Sequence, residues 1–378
     1  MSNLVLDSES CARALALRDL SDEAQGPHAL QLIVNELTRA LTSAWQCAAL
    51  VHRASPVVSI ADNYDRLHYR RDGAARDARY TRYVSEDTLL RTQTSAVIPP
   101  LLRRLAQDPP VDVLLACPGL VYRRDTIDRS HTGEPHQIDL WRVRRGPVLS
   151  RADLSEMIEL ATRSVLPGCA WRSQKAEHPY TTSGLQIDVQ VQGRWLEIAE
   201  CALALPEILL EAGLGPDYSG LAMGMGLDRL LMLRKGIDDI RLLRSSDPRV
   251  QSQLLDLEPY RAVSRQPAVR RDLSIVVDRD DTPEELGDRV RSALGAQVSS
   301  VEAVEVLGET QAQDLPEQAA RRLRIEARQK NVLLRVVLRD LEKTLTHEQA
   351  NELRDQIYAA LHQGKVHEWA ARGPKPTR

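Results

Sequence analysis

Between Pro27 and Ala49 the segment HALQLIVNELTRALTSAWQCAAL sets apolar side chains three and four residues apart, the spacing of one long amphipathic helix with a single buried face. A different rhythm follows. VDVLLACPGLVYRRD (111–125) reads as a strand running into a charged turn and HQIDLWRV (136–143) as a second strand, which together predict a hairpin with Arg123, Arg124 and Asp125 near its tip. LQIDVQVQ (185–192) and RWLEIAECAL (194–203) alternate like antiparallel strands joined at Gly193. SGLAMGMGLDRLLML (219–233) packs three glycines ahead of a helix-forming run. Glycine there lets a backbone approach a ligand closely, and the first amides of a helix favour anionic groups. Residues 56–85, rich in Asp, Arg, Tyr and Gly without sustained periodicity, read as an ordered functional segment rather than a linker.

A new unit begins at Glu258-Pro259. From residue 267 the predicted order is strand (LSIVVD), helix (TPEELGDRVRSAL), strand (VEAVEVLG), strands (RRLRIEAR with NVLLRVVLRD) and helix (THEQANELRDQIYAAL). That series predicts a ferredoxin-like βαββαβ domain of roughly 110 residues.

Composition narrows the class. With 378 residues and 43% hydrophobic content the chain is long enough for two or three domains with cores of their own, which excludes a disordered chain or a small disulfide scaffold. The formal charge of -3 argues against a polybasic nucleic-acid binder, and neither half departs far from balance. Any RNA contact by the second domain would rest on shape and a few placed side chains. Five scattered cysteines form no C-x-x-C pair, so zinc-knuckle and thioredoxin-like readings fall away and a reducing, cytoplasmic home is expected. The start, MSNLVLDSESCARAL, is acidic and lacks a basic n-region; no run of about 18 apolar residues occurs, so no membrane partner is expected. One count is anomalous: the chain contains no phenylalanine.

The blocks LLRTQTS (89–95), GLVYRRDTIDRSHTGEPHQID (119–139), WLEIAEC (195–201) and YSGLAMGMGLDRLLMLRKGIDDIRLL (218–243) closely resemble, in order and spacing, the catalytic core of class II phenylalanyl-tRNA synthetase. Residues from Tyr260 to Gly364, with QPAVRRDLSIVVD and LEKTLTHEQAN, look like the ferredoxin-fold anticodon-binding domain of the same family. The resemblance implies an α+β fold: an antiparallel sheet core flanked by helices over residues 1–255, then the anticodon-binding domain over 256–378, similar to the single-chain organellar type. It implies ATP-dependent activation of phenylalanine or a close analogue as an aminoacyl adenylate and its transfer to the phenylalanine tRNA. Arg123 would hold the α-phosphate and the reacting carboxylate, and Arg229 the γ-phosphate; Asp125, His131 and Gly226 match further nucleotide positions. Gln137 and Asp139 match positions holding the substrate amino group, and Ser95, His178, Tyr180 and Ala222 complete the amino-acid pocket. ATP and Mg²⁺ are the implied cofactors, with Glu197 as a metal ligand, and tRNA the implied partner of a monomer or homodimer. The chemistry suits these residue types, since adenylate formation builds charge on phosphate oxygens and arginine's planar fork binds such oxygens in pairs.

The sequence also departs from the family. His178-Pro179-Tyr180 stands for FPF, Leu221 and Met223 stand where GFAFGMG has phenylalanines, Glu200-Cys201-Ala202 replaces a glycine-rich stretch, and Gln93 replaces a histidine. One reading retunes the pocket toward a polar or larger aromatic substrate through His178, Tyr180 and Glu200. The other treats these residues as tolerated replacements in a chain purged of phenylalanine. Two further functions stay open: a paralogue activating another amino acid for a biosynthetic or modification pathway, and a non-catalytic RNA-binding regulator.

Overall fold

The computed structural model describes residues 5–263 and 266–366, folded as two compact units. Of the described residues, the first takes those up to 123 and 134–261; the second takes those from 262 onward together with the short stretch 124–133.

The first unit opens with helices α1 (Ser8–Leu15) and α2 (Ala29–Trp45), the latter burying Leu30, Ile33, Val34, Leu37 and Leu41 along one stripe as the apolar spacing requires. Strand β1 (Ala48–Val51) follows, then a small sheet of β2 (Val57–Ser59), β3 (Arg82–Tyr83) and β4 (Thr88–Leu90) around helix α3 (Ile60–Asn63). After helix α4 (Ile98–Leu105) come the long strands β5 (Asp112–Leu120) and β6 (His136–Arg145). Helix α5 (Arg151–Val165) is started by a Ser150–Asp153 capping box. Strands β7 (Trp171–Lys175), β8 (Thr181–Val191) and β9 (Arg194–Ala204) lead to helix α6 (Pro206–Glu211), strand β10 (Tyr218–Gly226) and helices α7 (Leu227–Lys235) and α8 (Pro248–Gln251). The large sheet runs β1-β5-β6-β10-β9-β8-β7 and is antiparallel except for the β1–β5 pair. The glycine segment 219–226, expected only as a lead-in to a helix, is itself a central strand, paired on both sides.

In the second unit, β11 (Val269–Asp278), α9 (Pro283–Leu294), β12 (Val301–Gln311), α10 (Glu317–Leu323), β13 (Gln329–Leu338) and α11 (His347–Leu361) give a three-stranded antiparallel sheet ordered β11-β13-β12. Its core joins alternate strand residues (Leu273, Ile275, Val277; Val332, Leu334, Val336) to helix residues four apart (Leu286, Val290, Leu294; Leu353, Ile357, Leu361). The stretch RRLRIEAR, expected as a strand, instead closes helix α10 and a turn in which Arg324 is left-handed. The last strand of the predicted βαββαβ order would lie beyond residue 366, outside the described residues.

Candidate active site

Cross-strand partners in a sheet share a face, and successive residues on a strand swap faces. The register therefore lines up Cys117, Asp139, Gly224, Glu200 and Gln186 as one row across five neighbouring strands. Beside it run Gly119, Gln137 and Gly226 on one side, and Leu115, Trp141, Ala222 and Ala202 on the other. A methyl group on Gly224 would meet only Asp139 Oδ2, at 3.9 Å, and one on Gly226 only Arg229 Cβ, at 4.0 Å, so the glycines form an open floor. Strands stand about 4.8 Å apart, which puts Asp139 and Glu200 on backbones roughly 10 Å apart across Gly224.

Asp139 is 4% exposed, and three donors converge on its carboxylate: Thr94 Oγ1 at 2.7 Å, Ser95 Oγ at 3.0 Å and Trp141 Nε1 at 3.2 Å. Burial pushes its carboxyl above the usual carboxylate range despite those bonds. The Tyr180 hydroxyl lies 3.5 Å from Ser95 Oγ, while its ring stacks on Trp141 at 6.2 Å and meets Tyr69 at 6.1 Å and His178 at 5.6 Å. Tyr69 in turn donates to Gln93 Oε1 at 3.1 Å. The wall beside Asp139 is thus aromatic and internally satisfied.

Next to that wall the site is charged. His178 Nε2 lies 2.8 Å from Glu200 Oε2, with the Glu200 side chain 40% exposed. That bond raises the His178 pKa and lowers the Glu200 pKa, so the pair favours its ionised form. Arg123, where β5 runs into the loop, adds its field to both Glu200 and Glu197. Arg229 sits in the first turn of α7 and donates through Nη1 to the Glu197 carbonyl at 2.9 Å. Burial holds the Glu197 carboxyl above its usual range.

A buried pair frames this arrangement. Asp228 accepts from the His136 backbone N–H at 2.5 Å and from its Nδ1 at 2.9 Å, while His136 Nε2 accepts from the Leu20 N–H at 3.0 Å. One carboxylate thereby ties the residue before Gln137 to the residue before Arg229.

Ten of the residues singled out in the sequence lie in the first unit: Ser95, Arg123, Gln137, Asp139, His178, Tyr180, Glu197, Ala222, Gly226 and Arg229. Asp125 and His131 belong to the second unit. There Arg291 donates to the Asp125 and Thr126 carbonyls at 2.5 and 2.7 Å, the Ile127 carbonyl accepts from the Val304 N–H at 3.0 Å, and His131 Nδ1 lies 2.7 Å from Asp128 Oδ2. Thr94, Trp141 and Tyr69 were not foreseen. Trp141 was within reach, since it follows Asp139 by the two residues that keep a strand side chain on one face; Tyr69 arrives by tertiary folding of the 56–85 segment.

An antiparallel sheet with a glycine floor, an arginine just past one strand and another in the helix that follows the glycine strand is the arrangement of the class II type of synthetase core. The chain belongs to that family: the profile described as tRNA synthetases class II core domain (F) matches residues 18–254. The ferredoxin-fold anticodon binding domain profile matches residues 264–366. Among curated proteins, the phenylalanine–tRNA ligase alpha subunits of Nostoc punctiforme and Prochlorococcus marinus are each 36% identical over 192 residues, covering 50% of this chain and 56% of theirs. The chain thus spans about half the length of the curated relatives it matches. A solved pyrrolysyl-tRNA synthetase from Desulfitobacterium hafniense aligns at TM-score 0.44 and 17% identity, covering 59% of this chain and 76% of that one. Among the described residues no helix is long and apolar enough to cross a membrane.

Proposed function

We propose that the chain activates an aromatic amino acid, phenylalanine or a close analogue, with ATP and transfers it to the phenylalanine tRNA. The observation that carries this reading is the open Gly224–Gly226 floor, set between the aromatic Tyr180–Trp141 wall and the Arg123 and Arg229 cations. An amino-acid carboxylate oxygen attacks the α-phosphorus of ATP, the bond to the bridging oxygen breaks, and pyrophosphate leaves with the electron pair. Arg123 holds the attacking carboxylate against the α-phosphate and Arg229 takes the γ-phosphate, so that catalysis is positioning and charge stabilisation. By family resemblance Asp125 and His131 match nucleotide-contacting positions; both belong to the second unit.

Mg²⁺ takes one or two carboxylates plus phosphate oxygens and waters rather than a full protein cage. Glu197 fits that pattern, and among the described residues no group of three or more His, Cys, Asp or Glu is placed to hold a metal. When bound, the ion neutralises charge on the phosphates. The second unit reads the tRNA anticodon in this scheme, as its family match supports.

The test is ATP–pyrophosphate exchange across the amino acids. Phenylalanine or a ring-substituted analogue should support exchange, and Arg123→Ala should abolish it while melting at the wild-type temperature. Absence of exchange with every amino acid would leave the regulator reading in possession.

A further inference from the structure

Resting on that reading, we propose that the substrate is a ring-hydroxylated phenylalanine whose hydroxyl is read by His178, and that the product is a phenylalanine tRNA carrying this analogue. Two independent observations carry it: the composition of the chain and the unpartnered edge of one imidazole.

The 378 residues include 9 Tyr, 5 Trp and no Phe. Packing does not explain that. Tyr64, Tyr122 and Trp141 are fully buried, so the core still uses large aromatic rings. A buried tyrosine needs a partner for its hydroxyl, which Tyr64 finds in the Ala75 carbonyl at 2.7 Å and Tyr122 in the Ala14 carbonyl at 3.3 Å. A phenylalanine would need none. The exclusion therefore falls on the amino acid as its tRNA delivers it, and not on the ring as a packing unit. A synthetase that loads an analogue onto the phenylalanine tRNA sends it to every phenylalanine codon. A chain without such codons is built uniformly in the presence of its own product. The transfer itself is ordinary: a terminal ribose hydroxyl of the tRNA attacks the adenylate carbonyl, AMP leaves with the electron pair, and the ribose proton goes to solvent.

The site indicates which analogue. Ser95 Oγ donates to Asp139 Oδ1 at 3.0 Å and lies 3.5 Å from the Tyr180 hydroxyl, and the Tyr180 and His178 rings are 5.6 Å apart between centroids. That succession leads from the amino-group positions implied by resemblance, Gln137 and Asp139, out along the aromatic wall. A substrate ring lying on the wall turns its far edge toward His178. There Nε2 is committed to Glu200 Oε2 at 2.8 Å, while Nδ1 has no protein partner among the described residues. The bond to Glu200 raises the His178 pKa and so favours the doubly protonated ring, in which Nδ1 is a donor. A bare phenyl edge would cover that N–H without satisfying it. A ring hydroxyl accepts from it, and a site with such a donor discriminates against the analogue that lacks the hydroxyl.

The test compares phenylalanine with ortho-, meta- and para-tyrosine, using the full chain, in ATP–pyrophosphate exchange and in charging of a phenylalanine tRNA transcript. One tyrosine isomer should exceed phenylalanine in kcat/KM by about 10- to 100-fold, the worth of one hydrogen bond from a charged donor, and should pass onto the tRNA. In His178→Phe the ratio should fall to parity or below, with the ATP KM unchanged as the sign of an intact fold. His178→Gln, which keeps a donor, should hold part of the preference. Phenylalanine favoured over all three isomers, or a preference that His178→Phe leaves as it was, overturns the proposal and leaves the activation reading standing. No exchange with any amino acid sinks the activation reading and this proposal with it.

Discussion

Burial decides what each charge can do in this chain, and His28 shows it as clearly as Asp139. His28 caps α2: its Nδ1 accepts from the Leu30 N–H at 3.2 Å while Nε2 lies 3.2 Å from the Leu243 carbonyl, a pattern open only to the neutral ring. Burial depresses its pKa to about 4. The folded state therefore binds fewer protons than the unfolded state between pH 6.5 and 4, and stability is lost as pH falls through that window, by about 3 kcal/mol in all. His28→Asn keeps a capping oxygen without a titrating ring. Urea titrations should show a flatter acid limb for this variant between pH 6.5 and 4; an unchanged slope would mean that another group sets it. Motifs in the sequence single out Arg123 and Arg229 as candidates. The donors around Asp139 were legible only in part: Trp141 shares its strand face two residues on, whereas Thr94 reaches it only through folding.

Strand β10 explains why the missing phenylalanines matter unequally. Alternation puts Ala222, Gly224 and Gly226 on the site's face and Leu221, Met223 and Met225 on the other, where all three are buried. Leu221 and Met223 are accordingly packing replacements, with volume close to what they replace. His178 and Glu200 bear on the site itself. The element also yields a sharp test. In Gly224→Val the added branch meets open space beside Asp139 and suits a strand, so the fold should persist. Filling the floor should nonetheless cut kcat/KM for the amino acid by about 100-fold, with ATP binding by calorimetry unchanged. Periodicity found most strands and helices, and it failed at RRLRIEAR, where alternate arginines look like a strand's exposed face although the residues end a helix. Reading 219–226 as a strand required its partners, since three glycines lower strand propensity on their own.

At the scale of the whole molecule, neither unit is a continuous piece of chain. Ile127 belongs to the second unit's core with Leu286 and Val290, and Gly287 lets the stretch pass close, since a methyl there would stand 2.8 Å from the Asp125 carbonyl oxygen. Gly287→Ala should destabilise the second unit by about 1–3 kcal/mol, an overpacking cost visible as a lowered melting transition. Truncation after residue 261 should expose Ile127, raise binding of a hydrophobic dye and impair exchange. A truncated chain with wild-type exchange would show that residues 124–133 hold their working form unaided. Sequence patterning gave two domains meeting near residue 255; a ten-residue stretch that packs with the second carries no periodic signal to betray it.

That stretch also sets an order of events during synthesis. Asp125 and the Arg291 that grips its carbonyl lie 166 residues apart along the chain. At ribosomal speeds of about 5–20 residues per second, the stretch leaves the ribosome roughly 10–30 s before its partner is made. During that interval the nascent chain carries Ile127 without its core, a ready target for a chaperone or a protease. The second unit, to which the stretch belongs, therefore reaches its final form only after Arg291 and the rest of its core have been made, and in the proposed scheme the onset of activity waits on that step.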